Sequence, residues 1–249
     1  MRIAEHVYLV ASGIQGCALS EDLDCNCYLF DSGAGLVLFD TGAGRDVDRI
    51  HAVIEGDGLS FDDITHVFLT HAHADHSGGA AAIGAAGKAH IVCGARTADV
   101  FAMGEAGISL DAARNAGVYP ADYRYTAPVP DGIIDPGSPF EIGRLRVTAL
   151  PTPGHSADHM SYLVRLADTG FLVSGDALFH SGRIIYQATH DFDVAQSCES
   201  MKTIAAQAFS SLLPGHGMFT VSAGKRHVYA ALARIEAMSP PAPLQLVNL

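Results

Sequence analysis

The chain has 249 residues, of which 49% are hydrophobic and 17% are charged. This length lies at the upper end of what one α/β domain usually contains, and the composition excludes a disordered or fibrous protein. The formal net charge is −12. Proteins that bind nucleic acids usually carry a basic patch that neutralises phosphates, so we expect no nucleic-acid partner.

Polar residues already occur among the first six positions, so the chain lacks the apolar stretch of a secretory signal there. No apolar run approaches the roughly 20 residues that a membrane-spanning helix needs. The five cysteines are an odd number, which fits reduced thiols better than disulfides. We therefore expect a cytoplasmic protein with no membrane partner. Cys25 and Cys27 are predicted to pack within the fold rather than to bind a metal ion.

Apolar, β-branched runs alternate with amphipathic helical patterns along the chain. Strands are predicted over residues 5–10, 27–30, 36–39, 65–69, 89–92, 145–150, 160–165, 171–174 and 210–213. Helices are predicted over residues 46–54, from about 78, and over 95–103, 110–116, 194–208 and 224–238. Strands interleaved with helices favour layered α/β packing, in which helices cover the faces of the sheets.

We expect one domain over residues 1–249, because no linker, low-complexity run or internal repeat divides the sequence. Residues 95–140 are its least regular part. They are compatible with a lid over an apolar substrate pocket, and equally with a peripheral cap or the contact surface of a homodimer. The residues considered for this segment are Met103, Ile108, Tyr119, Tyr123, Tyr125 and Phe140.

Three histidines and an aspartate occur within six residues after the predicted strand 65–69. They are His71, His73, Asp75 and His76. In an extended chain, side chains two residues apart point the same way, so His71 and His73 can bind one metal ion. Asp75 and His76 follow where the chain turns and can face a second ion. The segment therefore predicts a metal site at the end of a strand.

Three further potential ligands, His155, Asp176 and His216, also follow predicted strands, and a glycine precedes each of them. Glycine permits a close approach of the backbone to a ligand. Seven ligands are too many for one tetrahedral ion, whereas a two-metal site accounts for all of them. Nitrogen ligands with a few carboxylates suit zinc, and iron or manganese is also compatible with such a set.

The ordered set of His71-x-His73-x-Asp75-His76 with His155, Asp176 and His216 resembles the metallo-β-lactamase superfamily. Within that superfamily it is most similar to hydrolases of the glyoxalase II and lactonase type. The resemblance covers nearly the whole chain and implies an α/β fold, a four-layered αββα sandwich with the metals at one edge of its two sheets. It implies one metal on His71, His73 and His155, a second on Asp75, His76 and His216, and Asp176 as the bridge. Asp40 matches a supporting aspartate of the family.

Two neighbouring divalent cations lower the pKa of a shared water molecule towards neutrality. We therefore expect a metal-dependent hydrolase in which a metal-bridging hydroxide attacks a small carbonyl ester, thioester or lactone. Asp75 and Asp176 are the predicted catalytic carboxylates. The predicted cofactors are two divalent metal ions, zinc first, and the predicted partner is a small-molecule substrate.

Several related activities are weighed against this one. A β-lactamase should be exported, and one major class of these enzymes carries cysteine where this chain has Asp176, so both points weigh against β-lactam hydrolysis. A nuclease should carry basic residues, which weighs against that activity. An acyl-homoserine lactone lactonase often has tyrosine where this chain has Phe179, and this activity stays an alternative. An iron-dependent sulfur (persulfide) dioxygenase, with one iron on two histidines and a carboxylate, is a second alternative. A non-enzymatic binding role on the same scaffold is a third.

Other polar residues near these motifs have simpler interpretations. His159 is predicted to form a hydrogen bond outside the ligand set. His180 and His190 follow Asp176 and are candidates for the border of the substrate site. Lys225 and Arg226 are predicted to lie at a solvated helix start rather than to hold an anionic substrate group.

Overall fold

The computed structural model describes residues 1–86 and 89–245. The strands are β1 (Arg2–Ala4), β2 (Val7–Ala11), β3 (Cys27–Asp31), β4 (Leu36–Phe39), β5 (Ile64–Phe68), β6 (His90–Cys93), β7 (Gly132–Ile133), β8 (Pro139–Ile142), β9 (Leu145–Pro151), β10 (Met160–Leu166), β11 (Thr169–Gly175), β12 (Arg183–Ile184), β13 (Ser211–Pro214) and β14 (Ala242–Pro243). The α-helices are α1 (Val47–Gly56), α2 (Ala74–Ser77), α3 (Ala80–Ala86), α4 (Ala95–Ala102), α5 (Leu110–Asn115), α6 (Val194–Ala205) and α7 (Lys225–Glu236). Short 3₁₀ helices cover Phe61–Asp63, Gly104–Ala106 and His180–Gly182. Within the described ranges, no helix is long and apolar enough to span a bilayer.

The strands form two main sheets. The first sheet has the order β1-β2-β3-β4-β5-β6-β7, antiparallel up to β4 and parallel from β4 onwards. The second sheet has the order β13-β11-β10-β9-β8, in which only β11 and β13 among these described strands pair in parallel. Strands β12 and β14 pair separately. Each main sheet is therefore built from one continuous half of the chain.

The strands are apolar on both faces because each sheet lies between two layers. In β3, Tyr28 and Phe30 face the second sheet, whereas Cys27 and Leu29 face the opposite side. Side chains of a strand alternate between faces, so a strand buried on both faces has a nearly continuous apolar run. The Phe30 and Phe171 rings, one from each sheet, pack edge to face with centroids 5.5 Å apart.

Helices cover the outer face of each sheet. Ile50 and Ile54 of α1 pack against the first sheet. Met201 of α6 and Val228 of α7 pack against the second. The predicted α/β fold with four αββα layers is therefore confirmed.

Element boundaries differ from the sequence-based expectation at several places. The predicted strand 5–10 begins only at Val7, as β2, because Glu5 and His6 form a turn after the short strand β1, and the φ of His6 is 60°. The helix expected from residue 78 is divided into α2 and α3, and α2 already begins at Ala74, so that Asp75 and His76 are helical. The short strands β7 and β8 were not predicted, because they are partly exposed and lack apolar runs.

The segment 95–140 does not form one structural unit. Helix α4 packs on the first sheet through Phe101. Leu110 on α5 belongs instead to a separate cluster beside α2, which contains Leu23, Ala43, Ala74, Leu110, Tyr119, Tyr123 and Tyr125. The expectation for Phe140 is wrong. It lies on β8, and its ring packs against Phe68 of the sandwich core, with centroids 5.5 Å apart. A lid role for the remainder stays a prediction.

His227 makes the stability of the fold depend on pH. It is buried on α7, and its Nδ1 atom accepts a hydrogen bond from the Ser181 N–H at 2.9 Å. Burial, together with the nearby His180 and Arg226, lowers the pKa of His227 to about 4. The unfolded chain therefore binds a proton more readily than the folded one between pH 6.5 and 4, and this part of the stability is lost as the pH falls through that window.

We expect the replacement His227→Asn to reduce this pH dependence. Between pH 6.5 and 4, the free energy of unfolding should fall by about 1–2 kcal/mol less in the variant than in the wild type. Urea unfolding at a series of pH values measures the difference. His190→Asn, at a histidine whose side chain is 72% exposed, is the control and should keep the wild-type slope. An unchanged slope in His227→Asn would contradict the assignment.

Candidate metal centre

The ends of four strands meet at one edge of the sandwich. The Met160 N–H of β10 donates to the Thr70 carbonyl after β5, and the Gly215 N–H after β13 donates to the Gly175 carbonyl of β11, both at 2.8 Å. The Cys25 N–H donates to the carbonyl of Asp75. These backbone hydrogen bonds help to bring the segment 71–76 close to His155, Asp176 and His216, which are distant from it in sequence.

The first group of donors consists of His71, His73 and His155. One ring nitrogen from each lies within 4.8 Å of the others. The Nδ1 atom of His73 is 2.9 Å from Nε2 of His155. His71 and His155 are buried, whereas His73 is partly exposed. This triad therefore has one member on the open side of the site.

The second group consists of Asp75, His76 and His216, whose donor atoms also lie within 4.8 Å of one another. The distance from Asp75 Oδ2 is 3.1 Å to His216 Nε2 and 3.6 Å to His76 Nε2. His76 is fully buried, and Asp75 faces the open side. Helix α2 places Asp75 and His76 here, since it begins directly after His73.

Asp176 lies between the two groups. Its Oδ1 atom is 3.3 Å from Nε2 of His76, and its Oδ2 atom is 3.5 Å from Nε2 of His155 and 3.4 Å from Nε2 of His216. The carboxylate is 3% exposed. It is therefore the residue that contacts histidines of both groups.

Several buried donor atoms in this cluster have no hydrogen-bond partner among the described residues. They include His71 Nε2, His76 Nε2 and Asp176 Oδ1. Buried polar atoms without a partner are costly, so such a concentration calls for a compensating interaction. Imidazole nitrogens and carboxylate oxygens are ligands of zinc. The donor set therefore fits divalent metal ions, and the assignment of the seven residues as ligands stays a prediction.

Asp40 fixes the orientation of the buried histidines. Its Oδ2 atom accepts hydrogen bonds from His76 Nδ1 and from the Thr70 hydroxyl, each at 2.8 Å. The Thr70 hydroxyl accepts from His71 Nδ1 at 2.9 Å. Both histidines thus carry their proton on Nδ1 and turn the Nε2 lone pair towards the site. Asp40 was expected to support the ligands, whereas Thr70 was not identified, although it directly precedes His71.

Charges within the cluster alter the pKa values of its members. Burial raises the pKa of Asp176, but His216, His76 and His155 outweigh burial and hold it well below its usual value. Burial opposes the charged form of His216, but Asp176 and Asp75 raise its pKa to about 9. Burial lowers the pKa of His71 well below its usual value. Metal ions at these atoms would compete with protons, so metal affinity should depend on pH.

His159 and Tyr119 contact the ligand candidates from outside. The Asp176 N–H donates to His159 Nε2 at 3.0 Å, and His159 Nδ1 pairs with the Thr152 hydroxyl at 2.9 Å. His159 thus forms the hydrogen bonds that were expected of it, and its place outside the ligand set stays a prediction. The Tyr119 hydroxyl donates to Asp75 Oδ1 at 2.7 Å. Tyr119 was predicted only as part of an apolar segment, because nothing in its sequence context connects it with Asp75.

The remaining polar candidates are not members of the donor groups. The His180 ring packs on His227, with centroids 4.4 Å apart. His190 is exposed at the rim of a cleft beside His73. Lys225 donates to the Ala205 carbonyl at the end of α6, at 2.7 Å, so it stabilises a helix end. Arg226 lies beside His227 on the same helix.

Cys25 and Cys27 pack in the core next to the first sheet, as predicted. Both are fully buried, and their sulfur atoms are 3.7 Å apart. The Cys25 sulfur also lies within 4.8 Å of donor atoms of Asp40 and His76. Since Asp40 and His76 already share a hydrogen bond, this contact is accounted for without a metal ion.

The sequence has relatives among characterised families. Residues 21–226 match the model of the metallo-beta-lactamase superfamily. Lactamase-like protein nscB of Aspergillus fumigatus is 27% identical over 194 residues, which are 77% of this chain and 47% of that protein. Thioesterase pkgB of Emericella nidulans is 27% identical over 194 residues, 77% of this chain and 45% of that protein. The chain thus spans about half the length of these curated relatives.

Solved structures share the fold. A metallo-beta-lactamase of Cronobacter sakazakii superposes with a TM-score of 0.71 at 18% identity, over 96% of this chain and 95% of that one. BJP-1, a subclass B3 metallo-beta-lactamase of Bradyrhizobium japonicum, superposes with a TM-score of 0.67 at 23% identity, over 88% of both chains. At such identities the likeness shows the fold alone. With the match over residues 21–226, the chain belongs to the metallo-beta-lactamase superfamily.

Proposed function

We propose that this protein is a dinuclear metal-dependent hydrolase that cleaves a small carbonyl ester, thioester or lactone. The observation that carries the proposal is the position of Asp176, whose carboxylate contacts histidines of two separate donor groups. A residue between two groups is what a bridged pair of metal ions requires. We place one ion on His71, His73 and His155, and the other on Asp75, His76 and His216.

The residues around the site fit zinc, with iron or manganese as the alternatives. Bound in this way, two divalent ions would supply a water of lowered pKa and polarise a carbonyl oxygen. The protein's own contribution is to hold the ligands in the protonation state that binding needs. Asp40 and Thr70 do so for His76 and His71, since they accept the Nδ1 protons and leave each Nε2 free.

Tyr119 positions the catalytic carboxylate of Asp75. The Tyr119 hydroxyl donates a hydrogen bond to Asp75 Oδ1, and this leaves Oδ2 to face His216. The Asp75 N–H donates back to the Tyr119 oxygen at 3.3 Å. The Tyr119 ring stacks on Tyr123, with centroids 5.0 Å apart, which limits its movement. The carboxylate is therefore held in one orientation at the open side of the site.

Among the three proposed substrate types, a thioester has additional support. Thioesterase pkgB, at 27% identity over 77% of this chain, carries this activity in its name. The acidic net charge of −12 is consistent with a small substrate rather than a nucleic acid. We propose a small-molecule substrate, with cytoplasmic location and homodimer formation left as predictions.

Metal content and the effect of His216→Ala test the two-metal site. Protein purified without added metal should contain two zinc ions per chain by elemental analysis. His216→Ala should lose one ion and hydrolyse its best substrate roughly 100-fold more slowly or worse, because the charge stabilisation of one ion amounts to several kcal/mol. Asp75→Ala should lower the rate by a similar factor. Rates are measured with a panel of thioesters, lactones, phosphodiesters and β-lactams.

Asp122→Ala, at an exposed aspartate, is the control and should keep full metal content and activity. Circular dichroism of each variant checks that the fold is intact. Full activity in either ligand variant would refute the two-metal mechanism. One iron per chain, together with oxygen consumption, would support the sulfur dioxygenase alternative instead.

Tyr119→Phe tests the positioning of Asp75. Loss of the hydroxyl removes the proton donor of Asp75 Oδ1 and should lower zinc affinity by about 10–100-fold, the usual effect of removing a partner of a metal ligand. Tyr123→Phe is the matched control, because its hydroxyl donates to the Ala43 carbonyl at 2.7 Å and not to a ligand. It should cost about 1 kcal/mol of stability and leave zinc affinity unchanged. Competition with a chelator measures the affinity, and equal values in the two variants would refute the role of Tyr119.

A further inference from the structure

A cavity of about 380 Å³ opens beside the metal centre, next to His73. Its first wall is formed by α5 and the residues around it, and residues 187–190 also line it. The apolar members of the first wall are Ile108, Ala112, Ala113, Ala116 and Val118. Tyr119, which donates to Asp75, also lines this cavity. The apolar surface therefore continues up to a candidate ligand.

The absence of charged residues from its described lining distinguishes this cavity from an adjacent one. Around the 380 Å³ cavity, the lining residues that the structure describes include no lysine, arginine, aspartate or glutamate. A second cavity of about 280 Å³ also borders His73 and is lined by the charged residues Arg96, Asp99, Asp158 and Asp191. Ser109 and His190 line both, and their Oγ and Nδ1 atoms are 3.5 Å apart. The space in front of His73 is thus divided into an uncharged branch and a charged branch.

We propose that the uncharged branch is the specificity pocket of the enzyme and binds an apolar chain or ring attached to the reacting carbonyl. This inference rests on the proposed hydrolysis. A volume of about 380 Å³ lies at the lower end of small-molecule sites, which span about 300–1,000 Å³. The pocket therefore suits a short or medium chain. The apolar group belongs either to the acyl part or to the leaving group of the substrate.

Small side chains on α5 and at its C-terminal end create the space in this pocket. Ala116 caps the C-terminus of α5 with helical backbone angles, and its N–H donates to the Ala112 carbonyl at 2.9 Å, so Ala112 and Ala116 lie on the same side. Both are exposed to the cavity rather than packed in the core. A larger side chain at either position fills the cavity without disturbing the cluster around Leu110. The width of the pocket is thus set by two residues that have no part in metal binding.

Chain-length preference tests the pocket. Two series of thioesters are compared, one with acyl groups from acetyl to octanoyl on a constant thiol, the other with acetyl on thiols of rising alkyl length. In the wild type, kcat/KM should rise along one series by about three- to fourfold for each methylene that is buried. In Ala112→Phe or Ala116→Phe, the ratio of kcat/KM for the longest substrate to kcat/KM for the shortest should be at least tenfold lower than in the wild type. The series that responds identifies which part of the substrate occupies the pocket.

Asn115→Phe is the matched control. It adds the same bulk to α5 at an exposed position that does not line the cavity, and it should keep the wild-type preference. If the wild type, Ala112→Phe and Ala116→Phe all show the same dependence of kcat/KM on chain length, the inference is overturned, while the proposed hydrolysis stays intact.

A binding measurement separates the pocket from the reaction. Octanamide has the apolar chain but resists hydrolysis. In calorimetric titration it should bind to the wild type and to Asn115→Phe, and its affinity for Ala112→Phe should be at least tenfold lower. If no ester is hydrolysed and this pattern still appears, the pocket stands and the proposed function fails. If octanamide binds none of the proteins, or binds all of them equally, the pocket is refuted.

Discussion

The buried carboxylate of Asp40 is the contact on which the centre depends. It follows β4, has a φ of 58°, and accepts hydrogen bonds from the Thr70 N–H, the Thr70 hydroxyl and the His76 ring. It thus joins the end of β4, the end of β5 and helix α2. A non-glycine residue with positive φ is uncommon, and its persistence here indicates that the surrounding contacts over-determine it. Without this carboxylate, His76 would lose the partner that sets its tautomer, and the Thr70 hydroxyl, which sets that of His71, would lose its own acceptor.

The sequence was sufficient to predict layered packing and to group the candidate ligands. Strands alternating with helices indicated a layered α/β fold, and the resemblance carried by the histidine and aspartate motifs implied the four αββα layers. The candidate ligands follow strand ends, and strand ends of neighbouring strands lie close together in a sheet. This is why His155 and His216 could be grouped with His71 although they are far apart in the chain.

Other features depend on tertiary contacts that leave no local pattern. Tyr119 meets Asp75 across 44 residues of sequence, and its own surroundings indicated only an irregular apolar segment. Phe140 is aromatic like other residues of that segment, but β8 pairs with β9 at the edge of the second sheet, and this pairing places Phe140 against the core of the sandwich. Thr70 was overlooked because a threonine next to a histidine is common, and only the position of Asp40 gives it a function. Metal identity and substrate depend on such contacts too, and so belong to the proposals.

The division of the chain between the two sheets has a consequence for unfolding. Residues up to Ile133 build one sheet, and those from Pro139 build the other. Each donor group draws on both halves, since His155 joins His71 and His73, and His216 joins Asp75 and His76. An ion at either position would act as a crosslink between the halves, and its binding free energy would add to the free energy of folding. The same ligand atoms that would serve the reaction would thus also stabilise the interface between the two sheets, and a chelator would lower the free energy of unfolding.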